Sequence, residues 1–223
     1  MTGGKSHPSR TRVRPRPSPA TRRGRCFGLG VIMAVVMILI LLLACATLAN
    51  GGVTELRERG YSVIPQPQKV ELRGGDVVFG GDWVVDGDPE TMAYRSLVAD
   101  LAAFHQVELA RGSGGKVVKL AVREGAVATG KEPGIERQAY RLEIAPGRIE
   151  ITGNAAPGLF YGVQTLVQLL RRDAAGRLVL PEAVIEDWPA LQLRFLHWDT
   201  KHHQDRMETL KRYLDWSARF KVN

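Results

Sequence analysis

The stretch Ile151-Thr-Gly-Asn-Ala-Ala-Pro-Gly-Leu-Phe-Tyr-Gly-Val-Gln-Thr-Leu-Val-Gln-Leu-Leu170 joins a predicted strand to a predicted helix. Apolar and polar residues alternate in two segments that lead into this stretch, Gln138–Ile144 and Arg148–Thr152. Ala145-Pro-Gly147 separates the two segments. Alternation of this kind around a Pro-Gly turn predicts a β-hairpin. After the hairpin, apolar residues recur at the spacing of one helix face: Leu159, Phe160, Val163, Leu166, Val167 and Leu170. We therefore expect a hairpin that runs directly into a helix.

The flanking sequence predicts the same mixture of strands and helix. Asp88-Pro-Glu90 has the residues of a helix start, an acidic N-cap and a proline at the first helical position, and apolar residues continue at helical spacing to about His105. We predict from this order one α+β domain over residues 62–189. Short β-rich runs make up most of the remainder: Val63–Leu72, Val77–Phe79, Trp83–Val85, Val107–Ala110, Lys116–Val122 and Arg177–Pro181.

The segment after this domain, residues 190–223, carries the candidate chemistry. Leu191–Trp198 is a short apolar-rich run between Pro189 and polar residues, and such runs predict a buried strand. It leads into Asp199-Thr-Lys-His-His203, and in α/β folds functional sites lie at the carboxyl ends of strands. Asp205-Arg-Met-Glu208 has the pattern of a capping box, which predicts that a helix begins there.

The distribution of charge excludes one class of partner. The chain has 223 residues and a formal net charge of +8. Residues 1–26 contain eight basic residues and no acidic one, so that of the 31 basic residues 23 remain against 23 acidic ones. Because the rest of the chain is neutral as a whole, we expect no nucleic-acid partner. Residues 1–26, rich in Arg, Pro and Ser, are predicted to be a disordered cytoplasmic tail.

Residues 27–49 contain no charged residue and predict a transmembrane helix. About 20 apolar residues are enough to cross the hydrocarbon core, and the basic residues before them place the N-terminus in the cytoplasm. The folded part would then be exported, to the periplasm or the cell exterior, behind a linker at residues 50–61. Two alternatives stay open. One is a cleaved signal peptide, and the other is a lipoprotein attached through Cys45, since Leu42-Leu-Ala-Cys45 is similar to a lipoprotein cleavage box.

Three motifs of the chain resemble the N-terminal part of family 20 glycoside hydrolases, the β-N-acetylhexosaminidases. They are Ile64-Pro-Gln-Pro-Gln68, the stretch from Ile151 to Leu170, and Ile185-Glu-Asp-Trp-Pro189. The second motif is the most specific, and the resemblance extends over about residues 62–223. It implies that an α+β domain of zincin-like layout is followed by the start of a (β/α)8 barrel, truncated after the first β/α unit.

The resemblance also implies roles for residues of the predicted barrel strand. Arg194 falls on an arginine that hydrogen-bonds sugar hydroxyls in that family, and a planar guanidinium suits vicinal hydroxyls. Asp199 and His203 fall on an aspartate and a histidine. We expect them to hydrogen-bond substrate-binding residues without touching the sugar, and a purely structural role for Asp199 stays open. At three positions the chain departs from the family's usual Gly, Leu and Arg: Phe195, Trp198 and His202.

The implied activity is hydrolysis of terminal N-acetylhexosamine residues by a substrate-assisted, retaining mechanism. The acetamido oxygen of the substrate attacks the anomeric carbon, and an Asp-Glu pair at the end of the fourth barrel strand orients the acetamide and donates the proton. No residue of this chain matches either catalytic carboxylate, so we expect the chain by itself to be an inactive N-terminal fragment. Two alternative functions stay open: a non-catalytic exported module that binds glycan or protein, and a small membrane-tethered structural protein with no ligand.

The remaining acids and histidines of this region are given structural roles. We expect Glu186 and Asp187, just before Pro189, to hydrogen-bond the chain locally. Three histidines and one aspartate between His197 and His203 are residue types that bind zinc. We expect them instead to form a hydrogen-bonding loop, with no metal and no cofactor.

Overall fold

The computed structural model describes Met37, residues 55–199, residue 201 and residues 205–223. The predicted cytoplasmic tail, and the predicted membrane span apart from Met37, lie outside these residues. Within them, no helix is both long and apolar enough to cross a membrane. Residues 55–223 fall within one compact unit, Ala44–Asn223.

The described residues form one mixed sheet with helices packed on it. A helical turn at residues 55–58 precedes the first strand. The elements then follow in this order: β1 Lys69–Val78, β2 Trp83–Asp86, α1 Met92–Asp100, a π-helical turn Leu101–His105, β3 Ala110–Arg111, β4 Lys116–Val122, α2 Pro133–Glu136, β5 Tyr140–Ala145, β6 Arg148–Gly153, α3 Ala156–Leu169, β7 Arg171–Arg172, β8 Leu178–Asp187 and α4 Met207–Arg219.

The eight strands are ordered β1-β8-β5-β6-β4-β2-β3, and β7 pairs with the start of β8. The pairs β1–β8, β8–β5 and β5–β6 are antiparallel. The pairs β6–β4, β4–β2 and β2–β3 are parallel. The predicted hairpin is the β5–β6 pair, in which Ala145 lies opposite Arg148. A mixed sheet with helices is what the predicted α+β domain requires.

One face of the sheet is covered by helices. Helix α3 packs on β4, β5 and β6, and α1 packs against α3. The alternate residues of the hairpin point toward these helices and are buried: Tyr140, Leu142, Ile144, Ile149 and Ile151. The intervening polar residues lie on the other face and form half-exposed ion pairs, such as Arg141–Glu186 at 2.9 Å and Arg73–Glu143 at 3.0 Å. Exposed pairs of this kind contribute little to stability, so the buried face holds the domain together.

The glycines of the Ile151–Leu170 stretch permit the close packing of α3 on the hairpin. A β-carbon at Gly158 would lie 2.1 Å from the carbonyl oxygen of Ala139. One at Gly162 would lie 2.4 Å from Cγ2 of Ile151. Real β-carbons do not make contacts this short, so larger residues would push the helix off the sheet. The glycine spacing of this stretch therefore sets the distance between helix and hairpin.

Asn154, in the same stretch, holds the loop that precedes the hairpin. Its side chain is buried and accepts a hydrogen bond from the amide of Val127 at 2.9 Å. The side-chain amide donates to the carbonyl oxygens of Val127 at 2.8 Å and of Glu136 at 2.9 Å. Buried backbone groups need partners, and this one side chain supplies three.

Several element boundaries differ from the prediction. The first helix begins at Met92, with Thr91 as its N-cap, whereas Asp88 and Glu90 form a turn that precedes it. The predicted strand at residues 107–110 is reduced to Ala110–Arg111. The predicted linker, residues 50–61, includes residues that belong to the domain. Leu56 and Tyr61 are each 2% exposed and form part of its core.

Strand β8 also runs further than predicted, past Pro181 to Asp187. Pro181 lies opposite Asp76, where the register of β1 shifts after Leu72. Proline donates no hydrogen bond, and strands tolerate it at such irregularities. Glu186 and Asp187 therefore close a strand, whereas a local role in a linker was predicted for them.

The predicted barrel strand at Leu191–Trp198 is absent from the structure. These residues form no regular strand, and Leu191, Leu193 and Phe195 are 66%, 62% and 70% exposed. A barrel strand exists only through hydrogen bonds to neighbouring strands, and no described strand pairs with this segment. The helix predicted after it is present as α4, but its N-cap is Arg206 rather than Asp205 and no side chain caps it.

Candidate functional site

Arg194 lies at the junction between the domain and the segment that follows it. Its Nε donates to the carbonyl oxygen of Lys221 at 2.7 Å, and Nη2 donates to Oε1 of Gln138 at 2.9 Å. Nη1 donates to the carbonyl oxygen of Leu191 at 2.7 Å. The guanidinium also stands 5.3 Å from the ring centre of Tyr161. All three guanidinium nitrogens thus contact protein groups, and the predicted contact with a sugar stays a prediction.

The backbone of Arg194 is paired with Asn223. The amide of Asn223 donates to the carbonyl oxygen of Arg194 at 2.8 Å, and the amide of Arg194 donates to Oδ1 of Asn223, also at 2.8 Å. Both Asn223 Nδ2 and Gln138 Nε2 donate to the carbonyl oxygen of Gln192 at 3.0 Å. Hydrogen bonds from the domain and from the residues after α4 therefore hold this part of the chain without a strand.

A buried ion pair lies beside Arg194. Nζ of Lys221 is 2.8 Å from Oδ2 of Asp187 and 3.0 Å from the hydroxyl of Tyr140. The hydroxyl of Tyr140 donates to the same carboxylate oxygen at 3.0 Å and also bonds Thr165. Oδ1 of Asp187 accepts from the amide of Gln68 at 3.2 Å. The pair thus connects the ends of β5 and β8 to α3 and to the segment after α4.

Burial changes the acidity of both partners of Asp187. It lowers the pKa of the Lys221 ammonium below its ordinary value, and the negative charge of Asp187 opposes that change. Burial, followed by the charge of Asp187, raises the pKa of the Tyr140 hydroxyl well above 10.0. Both effects follow from the cost of placing charge in a poorly solvated site. At neutral pH the tyrosine is therefore un-ionised and acts as a hydrogen-bond donor.

A second contact joins α4 to the domain. Arg219 donates to Oδ1 of Asp100 at 3.2 Å, and its guanidinium lies 3.9 Å from the ring centre of Phe104. The other carboxylate oxygen of Asp100 accepts from the hydroxyl of Ser96 at 3.1 Å. Helix α4 itself has no buried residue. Its docking thus depends on polar and ionic contacts at its carboxyl-terminal end.

A cleft of about 270 Å³ opens at the junction. Small-molecule sites occupy roughly 300–1,000 Å³, so this cleft is at or below the lower limit. Its lining includes aromatic, amide and charged side chains: Gln66, Gln68, Tyr161, Trp188, Arg194 and Lys221.

The structure brings together only part of the predicted site. Asp199 is exposed, and its Oδ1 accepts a hydrogen bond from the amide of Lys201 at 2.8 Å. His203 lies outside the described residues, as does His202. Among the side chains that are described, no group of three or more His, Cys, Asp or Glu is placed to hold a metal ion. Of the three predicted site residues, Arg194 is thus the one for which the structure gives contacts with the folded domain.

Sequence reasoning missed the buried neighbours of Arg194. Lys221 is separated from Asp187 by 34 residues and from Tyr140 by 81. No periodicity connects positions so far apart. One local signal was present, since a lysine stands directly after helix α4, where glycine is the common residue.

The comparisons with known proteins agree on one family. A family model described as glycosyl hydrolase family 20, domain 2, matches residues 60–188. The β-N-acetylhexosaminidase of Cellulomonas fimi is 32% identical over 170 residues, which are 73% of this chain and 33% of that protein. The GH20 β-N-acetylhexosaminidase of Streptomyces coelicolor A3(2) is 28% identical, with a TM-score of 0.56 over 72% of this chain and 33% of that one.

A third similarity concerns the fold alone. The GH20 exo-β-N-acetylglucosaminidase of Vibrio harveyi, solved in complex with N-acetylglucosamine, is 24% identical, with a TM-score of 0.60 over 72% of this chain and 24% of that one. The chain therefore spans a third or less of the length of these relatives. The match of the family model covers more than half of the chain, and it contains the whole sheet, helices α1 to α3 and the Ile151–Leu170 stretch. The chain belongs to glycosyl hydrolase family 20.

Proposed function

We propose that this chain acts as part of a β-N-acetylhexosaminidase, a glycosidase that removes terminal N-acetylhexosamine residues from glycans. The observation that carries the proposal is the family 20 domain over residues 60–188, together with the relatives named as β-N-acetylhexosaminidases. The same relatives support a carbohydrate as the substrate. A non-catalytic glycan- or protein-binding module is the competing function that the experiment below distinguishes.

In this proposal the domain serves as a platform for the start of the catalytic barrel. Residues 190–223 would supply the first strand and helix of that barrel, and residues 62–189 would have the zincin-like layout of the family. The apolar side chains of α4 are exposed, with Leu214 at 70% and Met207 at 60%. Such a face is suited to packing against further barrel elements, because exposed apolar surface of this extent is unfavourable in water.

Arg194 is the residue of this chain that we expect to bind the sugar. A guanidinium presents several N–H donors in one plane, and neighbouring sugar hydroxyls accept them. Asp199 and His203 would support the same site without contacting the sugar. Four of the five guanidinium N–H donors contact the carbonyl oxygens of Leu191, Gln192 and Lys221 and Oε1 of Gln138. The sugar would therefore be bound through the second N–H of Nη2 or would share one of these contacts.

The reaction itself is proposed to be substrate-assisted and retaining. Nowhere in the sequence is an Asp followed directly by a Glu, and Glu186-Asp187 has the reverse order. The groups that orient the acetamide and donate the proton are therefore not assigned to this chain. We further propose that residues 27–49 anchor an exported protein in the membrane. Attachment through Cys45, or cleavage of a signal peptide, are the alternatives that mass spectrometry of the mature protein distinguishes.

A chimera tests the proposed function. Residues 60–223 replace the matching segment of the Cellulomonas fimi enzyme, and the chimera is assayed with 4-nitrophenyl N-acetyl-β-D-glucosaminide. We expect hydrolysis by the chimera and none by the 223-residue chain alone. A second chimera that contains residues 60–188 only, with the native barrel retained, controls for the domain junction.

The outcomes separate the two candidate functions. An active 60–188 chimera beside a folded but inactive 60–223 chimera would contradict the assignment of residues 190–223 to a working barrel. It would favour the binding module. Hydrolysis by the 223-residue chain alone would contradict the proposal that the catalytic groups lie outside this chain. Circular dichroism and a cooperative thermal transition establish that each chimera is folded.

A further inference from the structure

Lys221 occupies a backbone position at which glycine is the usual residue. The last turn of α4 closes with hydrogen bonds from the amide of Val222 to the carbonyl of Ser217 and from the amide of Lys221 to the carbonyl of Ala218, both 3.0 Å long. This pair of bonds is the Schellman motif. Lys221 has a φ of 60°, a left-handed conformation that is easy for glycine and uncommon for other residues. A lysine at this position is explained only if its side chain is needed.

The side chain of Lys221 is buried, and its ammonium has two polar partners. Lys221 is 5% exposed, and its ammonium contacts Asp187 at 2.8 Å and Tyr140 at 3.0 Å. Removing one partner of a buried ion pair leaves an uncompensated charge, which is strongly unfavourable. A glycine would ease the backbone at 221 but would leave Asp187 buried without its cation. The left-handed lysine is therefore accounted for by the ion pair.

The backbone of the same residue holds Arg194. The carbonyl oxygen of Lys221 accepts from Nε of Arg194 at 2.7 Å. Two residues later, Asn223 exchanges two hydrogen bonds of 2.8 Å with the backbone of Arg194. The place of the guanidinium thus depends on where residues 221–223 are anchored, and the buried ammonium is their anchor.

We infer that Lys221 is a positioning residue, whose ion pair with Asp187 fixes residues 221–223 on the domain and thereby places the guanidinium of Arg194 to bind the sugar. The sugar contact of Arg194 rests on the proposed function, whereas the fastening by Lys221 stands apart from it. Two experiments address these two parts separately.

Hydrogen exchange of the 223-residue chain in detergent tests the fastening. The variants are Lys221→Met and Asp187→Asn, and Lys211→Met, an exposed lysine of α4, is the matched control. We expect the amides of α4 and of Asn223 to exchange at least tenfold faster in the first two variants, with β5 and β6 unchanged. Unchanged exchange in α4 would overturn the inference, as would equally faster exchange throughout the sheet, which indicates general destabilisation.

Kinetics of the 60–223 chimera test the positioning of Arg194. If Lys221 acts through Arg194, Lys221→Met lowers kcat/KM at least tenfold in the parent and less than twofold in the Arg194→Ala background. If Lys221→Met instead lowers kcat/KM by the same factor in both backgrounds, the positioning role is overturned. Equal factors mean that the two residues contribute independently to the free energy of activation. If Arg194→Ala alone leaves kcat/KM unchanged, the proposed contact between Arg194 and the sugar is wrong. The hydrogen-exchange rates then show by themselves whether Lys221 fixes residues 221–223 on the domain.

Discussion

Gly162 lies so close to Ile151 that a β-carbon on the glycine would stand 2.4 Å from Cγ2 of the isoleucine. The glycine is on helix α3, and the isoleucine is on the central strand β6. This contact places the helix against the hairpin and explains why the Ile151–Leu170 stretch contains a glycine in the middle of a helix. Glycine is otherwise unfavourable there by about 0.5–1 kcal/mol relative to alanine.

Gly162→Ala should destabilise the domain. Overpacking of a dense interior costs about 1–3 kcal/mol, which exceeds the helix propensity that alanine contributes. Urea unfolding followed by circular dichroism measures the change. Gly114→Ala serves as the control, because no atom lies within 4 Å of its β-carbon position. A Gly162→Ala variant as stable as the wild type would show that the helix can move away from β6 at no cost.

Asn154→Ala should release the loop before the hairpin. The substitution leaves the amide and the carbonyl of Val127 without their partner, whereas the carbonyl of Glu136 keeps its bond from the amide of Ala139. Unpaired buried groups of this kind cost about 1–3 kcal/mol each before relaxation. We expect a lower free energy of unfolding and faster tryptic cleavage after Lys131. Glu124→Ala, an exposed change in the same loop, should leave both unchanged, and equal cleavage of the two variants would contradict the role of Asn154.

The sequence was sufficient for the parts of the fold that depend on local pattern. Period-two alternation located the β5–β6 hairpin, and the apolar stripe from Leu159 located α3. The pattern failed where a distant partner decides the structure. The sequence predicts that a strand ends at Pro181, but the irregularity of β1 opposite it allows β8 to continue. Leu191–Trp198 has the composition of a strand, yet no described neighbour offers it hydrogen bonds.

Stability should fall on mild acidification because of His105. Partial burial lowers the pKa of His105 below its ordinary value of 6.5, and the charge of Arg172 adds to this. The hydrogen bond with the backbone of Val167 and the charge of Asp100 oppose it. The unfolded chain therefore binds a proton first as the pH falls below 6.5, so the histidine's contribution to stability is present above that pH and is lost below it. Urea midpoints at pH 7.5 and pH 5.0 should differ less for His105→Gln than for the wild type. An unchanged difference would contradict the burial of this imidazole.

The segment after the domain should be the first to be cleaved by protease. Lys201 and Arg206 are exposed and lie outside regular strands, whereas Lys119 and Arg141 are in paired strands of the sheet. Segments with few buried contacts open at low free energy. Trypsin followed by mass spectrometry should show cleavage at the first two sites well before the last two. Similar rates at all four sites would contradict the lower local stability that we expect for residues 190–223.

The candidate site was predictable only in outline. The resemblance to family 20 identifies Arg194 as a candidate, because the alignment of a motif assigns a role to a single position in the sequence. Its surroundings could not be predicted, because Gln138 and Lys221 reach it from positions 56 and 27 residues away. The same holds for the Asp187–Lys221 pair, which brings together two charges that composition alone assigns to the surface.

The most direct test of the account is the effect of Arg194 on catalysis in the 60–223 chimera. Steady-state kinetics with the aryl N-acetyl-β-glucosaminide should show that Arg194→Ala lowers kcat/KM at least tenfold, since the sugar loses a charged hydrogen-bond donor. Arg194→Lys should recover little, because an ammonium does not reproduce the planar fork. Arg212→Ala, at an exposed arginine of α4, is the matched control and should stay within twofold of the parent. A kcat/KM for Arg194→Ala equal to that of Arg212→Ala would contradict the claim that this chain supplies part of a sugar-binding site.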